Sequence, residues 1–460
     1  MVEPDVEQVK LDLRAAFDRM IDNLQAARDA IDTPELHPAP ATERNLAEGY
    51  RYVLGFLLGS IERSLADPLY PRFRRAIQPM NRSTIDNSDA VYLSAEIDCN
   101  HSYRIRGRAL DSRHWRGDAP VAGPRAPQYV IFELSSGYAG DSGSLGEMQP
   151  GTRINTSTLD SHALQVEADG SFEILIAPER PAGFTGNFML GRRESRGREY
   201  VGTCLSCREL FHDWANEDLL DLEILRIGCE FEPRPPLDAA GAVALMDRVG
   251  ELTRNQVHFW NAFYTLTLET YGKAPGMPSA GGDSDRQFMP VNDMNPPNAL
   301  GLATGGGQST NIYSGGVYQL ADDEALVIEC EVPVPPCFMG FHLSNLWGES
   351  LDFESYQSNL NGHMLEADGD GLYRWVVAHR DPGVPNWVDT TGLNQGFLTI
   401  RWTYPEQPPR ENWPTLQVRK VALAEARSCL APDTRRVGQG EREQDKLVRH
   451  RHVQRRYRQY

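Results

Sequence analysis

The sequence lacks a long hydrophobic run. Its most apolar segment extends from Tyr52 to Ile61, about half the roughly 20 residues that a membrane-spanning helix needs. The first residues, Met1 to Glu7, are acidic and lack the basic and apolar regions of a secretory signal. These absences exclude a helical membrane protein, and we expect a cytoplasmic protein with no membrane span.

Cysteine is scarce and positive charge is in deficit. Seven cysteines are spread over 460 residues, which suits reduced thiols better than a disulfide framework. Lys and Arg number 46 against 64 Asp and Glu, so the net charge is −18. Because an acidic surface repels phosphate backbones, we expect no nucleic acid as a partner. The 40% hydrophobic and 24% charged residues are typical of a globular chain of two or three domains.

Apolar residues recur with helical spacing in three segments. The first segment, 4–32, ends before Pro34, and the second, about 42–66, ends at Asp67-Pro68. The third runs over 237–272. We therefore divide the chain into a helical segment (1–85), a first β-sandwich (86–236), a connecting helix (237–272), a Gly/Pro-rich loop (273–316), a second β-sandwich (317–427) and a basic tail (428–460).

Between these helices the apolar period changes to two. Short alternating runs separated by Gly, Asp and Ser are typical of an antiparallel sandwich. The predicted fold class is α+β, mainly β: two tandem antiparallel β-sandwich, jelly-roll-like domains with an N-terminal helical segment and a long connecting helix. The predicted strands are 91–97, 103–107, 129–134, 164–166, 172–176 and 222–225 in the first region, and 325–330, 338–343, 372–378, 397–404 and 415–423 in the second.

The two β regions resemble each other. The run from Asp169-Gly170 to Ala177 aligns without gaps on the run from Asp370-Gly371 to Ala378, and Asn187 then falls on Asn386 after a shift of two residues. Asp-Gly also makes tight hairpins in unrelated proteins, so the match has a local alternative. We interpret it as an internal repeat of one sandwich.

The second copy also resembles a known family. The runs Gly340 to Phe353, His379 to Trp387 and Leu398 to Trp402 are similar to the bacterial family called domain of unknown function 1214, over about residues 310–425. Asn386-Trp387 and Arg401 match the family's Asn-Trp element and its Arg-bearing strand, although Val-Asp follows here where Leu-Pro is usual. The first β region only loosely resembles the usual upstream partner domain. The resemblance implies a β-sandwich or jelly roll and no settled activity.

Copy two carries reactive residues where copy one does not. His379, Arg380 and Asp381 replace Pro178, Glu179 and Arg180. A His beside a carboxylate can act as a general acid or base, and Trp387 stands close by for stacking. The alternative is a loop network in which Asp381 accepts backbone N–H groups.

A second cluster precedes it in the chain. An amide, an indole and a carboxylate together are typical of sugar or polyol binding, and Glu349 with Asp352, Asp381 or Asp389 would make an acid/base pair. The alternative is a solvated strand end anchored by a tryptophan. The candidate residues in this cluster are His342, Asn345, Trp347, Glu349 and Asp352.

Three further patterns have mainly structural explanations. Cys204 and Cys207 form one CxxC, which is weak evidence for zinc because a structural site uses four ligands. We predict neither a metal nor a cofactor. The aromatic patch from His258 to Tyr264 is typical of core packing, with pocket lining as the alternative. The tail from Arg435 is basic, and we expect it to dock on the acidic body or on a second subunit, making a homo-oligomer.

Two classes of function remain open. The first is an enzyme that acts on a polyhydroxylated small molecule or glycan, with His379, Asp381 and Glu349 as catalytic residues. Its substrate would be held by Trp347, Trp387, Arg380, His342, Asn345 and Arg401. The second is a non-catalytic ligand-binding or scaffold protein built from the duplicated sandwich. The sequence does not decide whether the protein is an enzyme.

Overall fold

The computed structural model describes residues 5–34, 39–119, 122–269, 289–299 and 307–457. Much of the predicted Gly/Pro-rich loop 273–316 therefore lies outside the described residues, as do the tail residues 458–460. Four helices are described: α1 (Val6–Asp32), α2 (Glu43–Leu65), α3 (Ala239–Glu269) and α4 (Gln439–Arg456). In the part of the chain that the structure describes, no helix is both long and apolar enough to cross a bilayer.

The first sandwich joins a five-stranded sheet, in the order β1-β2-β10-β4-β5, to a four-stranded sheet, in the order β11-β3-β6-β7, and carries a separate β8-β9 hairpin. These strands are β1 (Arg74–Ile77), β2 (Ala90–Glu96), β3 (Tyr103–Arg108), β4 (Tyr129–Ser135), β5 (Asn155–Asp160), β6 (Ser171–Ala177), β7 (Asn187–Leu190), β8 (Arg192–Ser195), β9 (Arg198–Val201), β10 (Cys204–Leu210) and β11 (Asp221–Arg226).

The second sandwich pairs two four-stranded sheets, in the orders β12-β18-β14-β15 and β17-β16-β13-β19. Its strands are β12 (Asn311–Gln319), β13 (Glu324–Glu331), β14 (Phe338–Ser344), β15 (Asn359–Asn361), β16 (Tyr373–Ala378), β17 (Trp387–Asp389), β18 (Gln395–Thr403) and β19 (Thr415–Ala422). Each sandwich closes over its own apolar core, one containing Phe132 and Ile174 and the other Phe341 and Trp375.

The structure confirms the mainly β fold, and one sheet of each sandwich has the same strand order, as an internal repeat would have. The sheet β11-β3-β6-β7 corresponds strand for strand to β19-β13-β16-β17. Each copy also contains a parallel pair, β6 with β7 and β16 with β17, so the sandwiches are not wholly antiparallel as predicted. The repeat includes the hairpin at Gly170 and Gly371, both of which have φ of 84°.

Two strand predictions need correction. Residues 164–166 are not a strand, because the side chain of Asn187 takes the hydrogen bonds of the Gln165 backbone at 2.7 and 2.9 Å. Conversely, the Cys204–Leu210 segment, which the predicted strands leave out, is β10 at the centre of its sheet.

The basic tail docks on its own chain. Arg442, Arg449 and Arg456, spaced seven residues apart on α4, are all buried. Arg442 pairs with Asp381 at 2.9 Å in the second sandwich, and Arg456 donates to the carbonyl oxygen of Ser88 at 2.9 Å in the first. The helix therefore joins both sandwiches, and its buried face is occupied within one chain.

Candidate functional site

A cavity of about 400 Å³ lies between the two sandwiches. Its walls are the outward faces of the five-stranded sheet of the first sandwich and of the β12-β18 pair of the second, and α2 and α3 cover it. Pockets at domain interfaces with volumes of roughly 300–1,000 Å³ are a common place for small-molecule binding. The cavity is therefore the first candidate for a functional site.

The helices supply an apolar wall. On α3 the positions 256, 259, 260 and 263 share one helical face, and they place Phe259, Trp260 and Phe263 at the cavity, with Gln256 below them. The Trp260 indole donates to Gln256 Oε1 at 3.0 Å, which fixes the ring. On α2, Phe56 lies at the cavity, and two glycines leave space there because they have no side chains. Pocket lining, the alternative for this aromatic patch, is therefore correct for Phe259, Trp260 and Phe263.

The first sandwich supplies a polar wall. Successive strand residues point to opposite faces, so β2 directs Ala95 into the core while Tyr92 and Ser94 face outward. The cross-strand register places Ser94 opposite Ser206, and Ser206 opposite Glu133. One row of the sheet therefore presents hydroxyl and carboxylate groups to the cavity.

The second sandwich completes the polar wall. On β18, Thr399 and Arg401 point outward while Leu398 and Ile400 enter the core. Tyr313 on β12 lies opposite Arg401 in the register, and its ring lies 5.8 Å from the guanidinium carbon. This wall adds a hydroxyl, a phenol and a guanidinium to the cavity.

Positively charged groups outnumber negatively charged ones at the cavity. Four arginines line it, but Glu133 is the one carboxylate among the described lining residues. Arg63 is paired with Asp141 at 2.7 Å, and Arg208 with Glu133 at 2.9 Å. The lining arginines are Arg63, Arg74, Arg208 and Arg401.

Arg401 has neutral partners instead. Its Nη1 donates to His342 Nε2, and its Nη2 donates to the carbonyl oxygen of Ile85. Burial, reinforced by the Arg401 charge, lowers the pKa of His342 far below its ordinary range, so the imidazole is neutral and can accept. The other ring nitrogen, Nδ1, lies 3.9 Å from Asp89, which is also buried.

Two hydroxyls at the cavity are buried without hydrogen bonds. Among the described residues, Ser94 Oγ and Thr399 Oγ1 have no partner, although Ser94 is 1% exposed and Thr399 is 6% exposed. Buried polar atoms in native proteins are nearly always satisfied by protein, water or a ligand. These atoms therefore indicate a place where something else donates or accepts.

The predicted catalytic residues form hydrogen bonds with different partners. His379 Nδ1 lies 2.6 Å from the Thr390 hydroxyl, and Asp381 instead accepts from Arg442 and from the backbone of Gly383. Glu349 pairs with Arg51 at 2.6 Å and accepts from Asn345 at 2.8 Å. His379, Asp381 and Glu349 have no hydrogen-bond partner in common.

The predicted substrate-binding residues mostly hold the structure together. The Trp347 indole donates to the carbonyl oxygen of Asn45 in α2 at 2.8 Å, and the Trp387 indole donates to that of Ala378 at 3.0 Å. Asn345 caps its own turn by accepting from the backbones of residues 347 and 349. Arg380 is exposed. Arg401 is the member of the predicted set that reaches the cavity.

The two cysteines of the CxxC lie on opposite faces of β10. Cys204 lines the cavity, whereas Cys207 is part of the sandwich core. Residues three apart on a strand point to opposite sides, so these two sulfurs cannot bind one ion together. Burial raises the pKa of Cys204 to about 12, so it is a thiol at neutral pH. Within the described ranges no group of three or more His, Cys, Asp or Glu side chains is arranged to hold a metal.

Sequence reasoning missed most of this site because its residues share no local motif. Ser94, Ser206 and Glu133 become neighbours only through the pairing of β2, β10 and β4. One weak signal was present: in β2 and β10 the polar positions of the alternation include bulky Tyr92 and Arg208, which suit a covered face.

Comparison with known proteins gives a fold relative but no activity. No family model and no curated protein matches the sequence. The chain is similar to a crystal structure of an uncharacterized protein from Burkholderia cenocepacia, with 26% identity and a TM-score of 0.70 over 90% of this chain and 99% of that one. A protein from Vibrio parahaemolyticus is 12% identical, with a TM-score of 0.41 over 87% of this chain and 100% of that one. The first likeness indicates that most of this fold recurs in another protein.

Proposed function

We propose that this protein is a ligand-binding protein whose small-molecule site is the cavity between the two sandwiches. The observation that carries the proposal is the pairing of an aromatic helix wall with a polar strand wall around about 400 Å³. Ligand sites combine a mostly apolar lining with a few placed polar groups in this way. The duplicated sandwich thus serves as the scaffold, as the second of the two functional hypotheses expected.

The acid/base hypothesis has less support. A general base must lie within hydrogen-bond reach of its substrate, and His379 lines neither the cavity between the sandwiches nor the smaller one beside Arg374. Asp381 is engaged by the tail helix. Non-catalytic binding therefore fits the placement of these side chains better than glycan hydrolysis does.

A cavity-filling variant tests the proposal. Gly59 on α2 lines the cavity, and a Cβ there would meet only the Asn81 amide, at 3.8 Å. Gly59→Phe should fill the cavity and abolish binding of the neutral fluorescent probe N-phenyl-1-naphthylamine, while the circular dichroism spectrum stays unchanged. Gly59→Ala is the matched control, because it makes the same change from glycine with little volume and should bind as the wild type does.

Two outcomes would contradict the proposal. Wild-type protein that gives no probe fluorescence above background would show that the cavity does not accept apolar molecules. Equal binding by the wild type and a folded Gly59→Phe variant would place the probe elsewhere. Native mass spectrometry of the purified protein, searched for a bound small molecule that the Phe variant lacks, gives a second readout.

The cellular location and the family membership remain proposals. All seven cysteines are free thiols, which is typical of proteins in a reducing compartment, and this supports the expected cytoplasmic location. The resemblance of residues 310–425 to domain of unknown function 1214 is proposed on its motifs alone.

A further inference from the structure

The cavity contains a buried arginine without a carboxylate partner. Arg401 is 6% exposed, and among the described residues no Asp or Glu oxygen lies within ion-pair distance of it. Its neighbours, the neutral His342 and the Ile85 carbonyl, accept hydrogen bonds but carry no charge. A buried cation without a directly paired counter-ion is costly. The site therefore favours a ligand that brings one negative charge.

The neighbouring groups fit the same conclusion. Thr399 lies two residues before Arg401 on β18, so both side chains point to the cavity. The buried Thr399 hydroxyl has no partner among the described residues and is available to donate. Arg208 of the opposite sandwich lies 5.8 Å from the ring of Tyr92, and Arg208 and Arg401 both influence the Tyr92 hydroxyl electrostatically. The two guanidiniums therefore flank one region of the cavity.

The charge of that region is compensated only in part. Glu133 pairs with Arg208 at 2.9 Å, and its other oxygen accepts from the Ser309 backbone at 3.0 Å. The buried Asp86 carboxylate also acts on Arg401 and on the Tyr92 hydroxyl, but from beyond ion-pair distance, and its oxygens accept from the Ser350 backbone and hydroxyl at 2.9 and 2.8 Å. Of the two guanidiniums, the one of Arg401 is therefore left without a directly paired carboxylate. A monoanion matches this unpaired charge better than a phosphate monoester does, which carries close to two charges at neutral pH.

The aromatic wall opposite Arg401 determines whether the body of the ligand is polar or apolar. Phe259, Trp260 and Phe263 of α3 and Phe56 of α2 offer rings, and a polyhydroxylated body would lose its hydration there without gaining hydrogen bonds. An aliphatic or arylalkyl body would gain from the contact.

We propose that the ligand is a carboxylic acid with an apolar body, its carboxylate bound by Arg401 and Thr399 and its body packed against the aromatic side chains of α2 and α3. This inference rests on the proposed function of the cavity and names the chemical class of its ligand. Arg–carboxylate pairing with an added hydroxyl donor is a common and strong recognition geometry.

A ligand series tests the charge without altering the protein. Octanoate, octan-1-ol and octyltrimethylammonium share one apolar chain and differ in the charge of the head group. Each is titrated into wild-type protein that holds N-phenyl-1-naphthylamine, and displacement is followed by fluorescence. We expect octanoate to displace the probe at a concentration roughly tenfold or more lower than octan-1-ol needs, because one charge-assisted contact gives a difference of that size. The ammonium should need the highest concentration.

A conservative variant tests the position. Thr399→Val keeps the shape of the side chain and removes a hydroxyl that has no partner, so the fold should be retained. The variant should bind octanoate several-fold more weakly and octan-1-ol with unchanged affinity. A merely structural role of Thr399 would change both affinities together.

The outcomes distinguish failure of the carboxylate inference from failure of the proposed function. If the probe binds but the alcohol displaces it as well as octanoate does, the carboxylate inference is wrong and the cavity function stands. An unchanged octanoate affinity in Thr399→Val would likewise remove Thr399 from the site. If the probe itself does not bind, the proposed function fails first.

Discussion

At the residue scale, equivalent asparagines in the two sandwiches form the same hydrogen bonds. Asn187 accepts from the backbone N–H of Gln165 at 2.7 Å and donates to its carbonyl at 2.9 Å. Asn386 forms the same two bonds with the backbone of Glu366, at 3.0 and 2.7 Å. An amide side chain thus replaces a missing strand partner, which explains why the sequence alignment retains Asn at this place.

We expect Asn386→Ala to destabilise the protein. The substitution leaves a partly buried N–H and a partly buried carbonyl of Glu366 unpaired, and such a loss costs about 1–3 kcal/mol. Asn187→Ala should lose a similar free energy of unfolding, and exposed Asn100, changed to Ala, is the control. Chemical denaturation measures all three, and an Asn386→Ala variant as stable as the control would contradict the role.

A buried glutamate at the same scale makes stability depend on pH. Burial raises the pKa of Glu209 from 4.5 to about 8. Because the folded state keeps a proton that the unfolded state releases near pH 4.5, the contribution of this group to stability falls as pH rises from about 4.5 to 8. Below that window both states are protonated and the contribution is fully present.

Glu209→Gln should therefore flatten this part of the pH profile. The variant mimics the protonated carboxyl, so its free energy of unfolding should exceed that of the wild type most clearly at pH 8 and above, by a few kcal/mol. Unfolding curves from pH 4 to 9 measure it, with exposed Glu223→Gln as control. Parallel profiles for wild type and variant would refute the prediction.

At the element scale, the repeated hairpins share a conformation but differ in surroundings. Gly170 and Gly371 both have φ of 84°, in the left-handed region that glycine adopts easily. The hairpin backbones match as well, since Gly170 N–H donates to the Glu167 carbonyl at 3.0 Å and Gly371 N–H to that of Asp368 at 2.8 Å. A Cβ at 170, however, would overlap the carbonyl oxygen of Ala109, while a Cβ at 371 would meet open space.

The pair makes a matched experiment. Gly371→Ala should cost about 1–2 kcal/mol, the strain of a left-handed residue with a Cβ. Gly170→Ala should cost clearly more, because it adds the clash with Ala109 to the same strain. Thermal unfolding of both variants gives the comparison, and equal losses would show that the backbone at Ala109 moves away without cost.

At the scale of the whole molecule, α4 joins the two sandwiches. Arg449 donates to Asn359 Oδ1 at 2.6 Å in the second sandwich, and the Arg456 guanidinium stacks 4.3 Å above Trp214 of the first. The polar composition of this helix concealed its role, because its buried face consists of arginines rather than apolar residues. The oligomer that the basic tail suggested stays a prediction, although this face is already covered within the chain.

Deleting residues 438–460 should lower the melting temperature and uncouple the sandwiches. Each sandwich has its own core, so we expect calorimetry to show two transitions in the truncated protein where the full chain shows one. Exposed Arg451→Ala is the control for loss of a tail charge. An unchanged single transition would mean that α4 does not hold the sandwiches together.

The sequence by itself determined the elements and their duplication. The periodicity placed both ends of α1 and α2 and the start of α3 within about two residues, whereas the predicted end of α3 at 272 lies outside the described residues. Alternation located most central strands, because helix and strand periods arise from local backbone geometry. The Asp-Gly and Asn matches revealed the repeat, since a hairpin needs the same residues wherever it recurs. Alternation also fixed which side of each strand is polar.

Only the tertiary structure decided what those polar sides face. Ser94 meets Ser206 across more than a hundred residues of chain, and Arg401 meets a wall that belongs to the other sandwich. Predicted candidates such as Trp347 and Asp381 instead hold α2 and α4 in place. Which side chains surround a cavity depends on how two separately folded units pack, and that packing leaves no local pattern in the sequence.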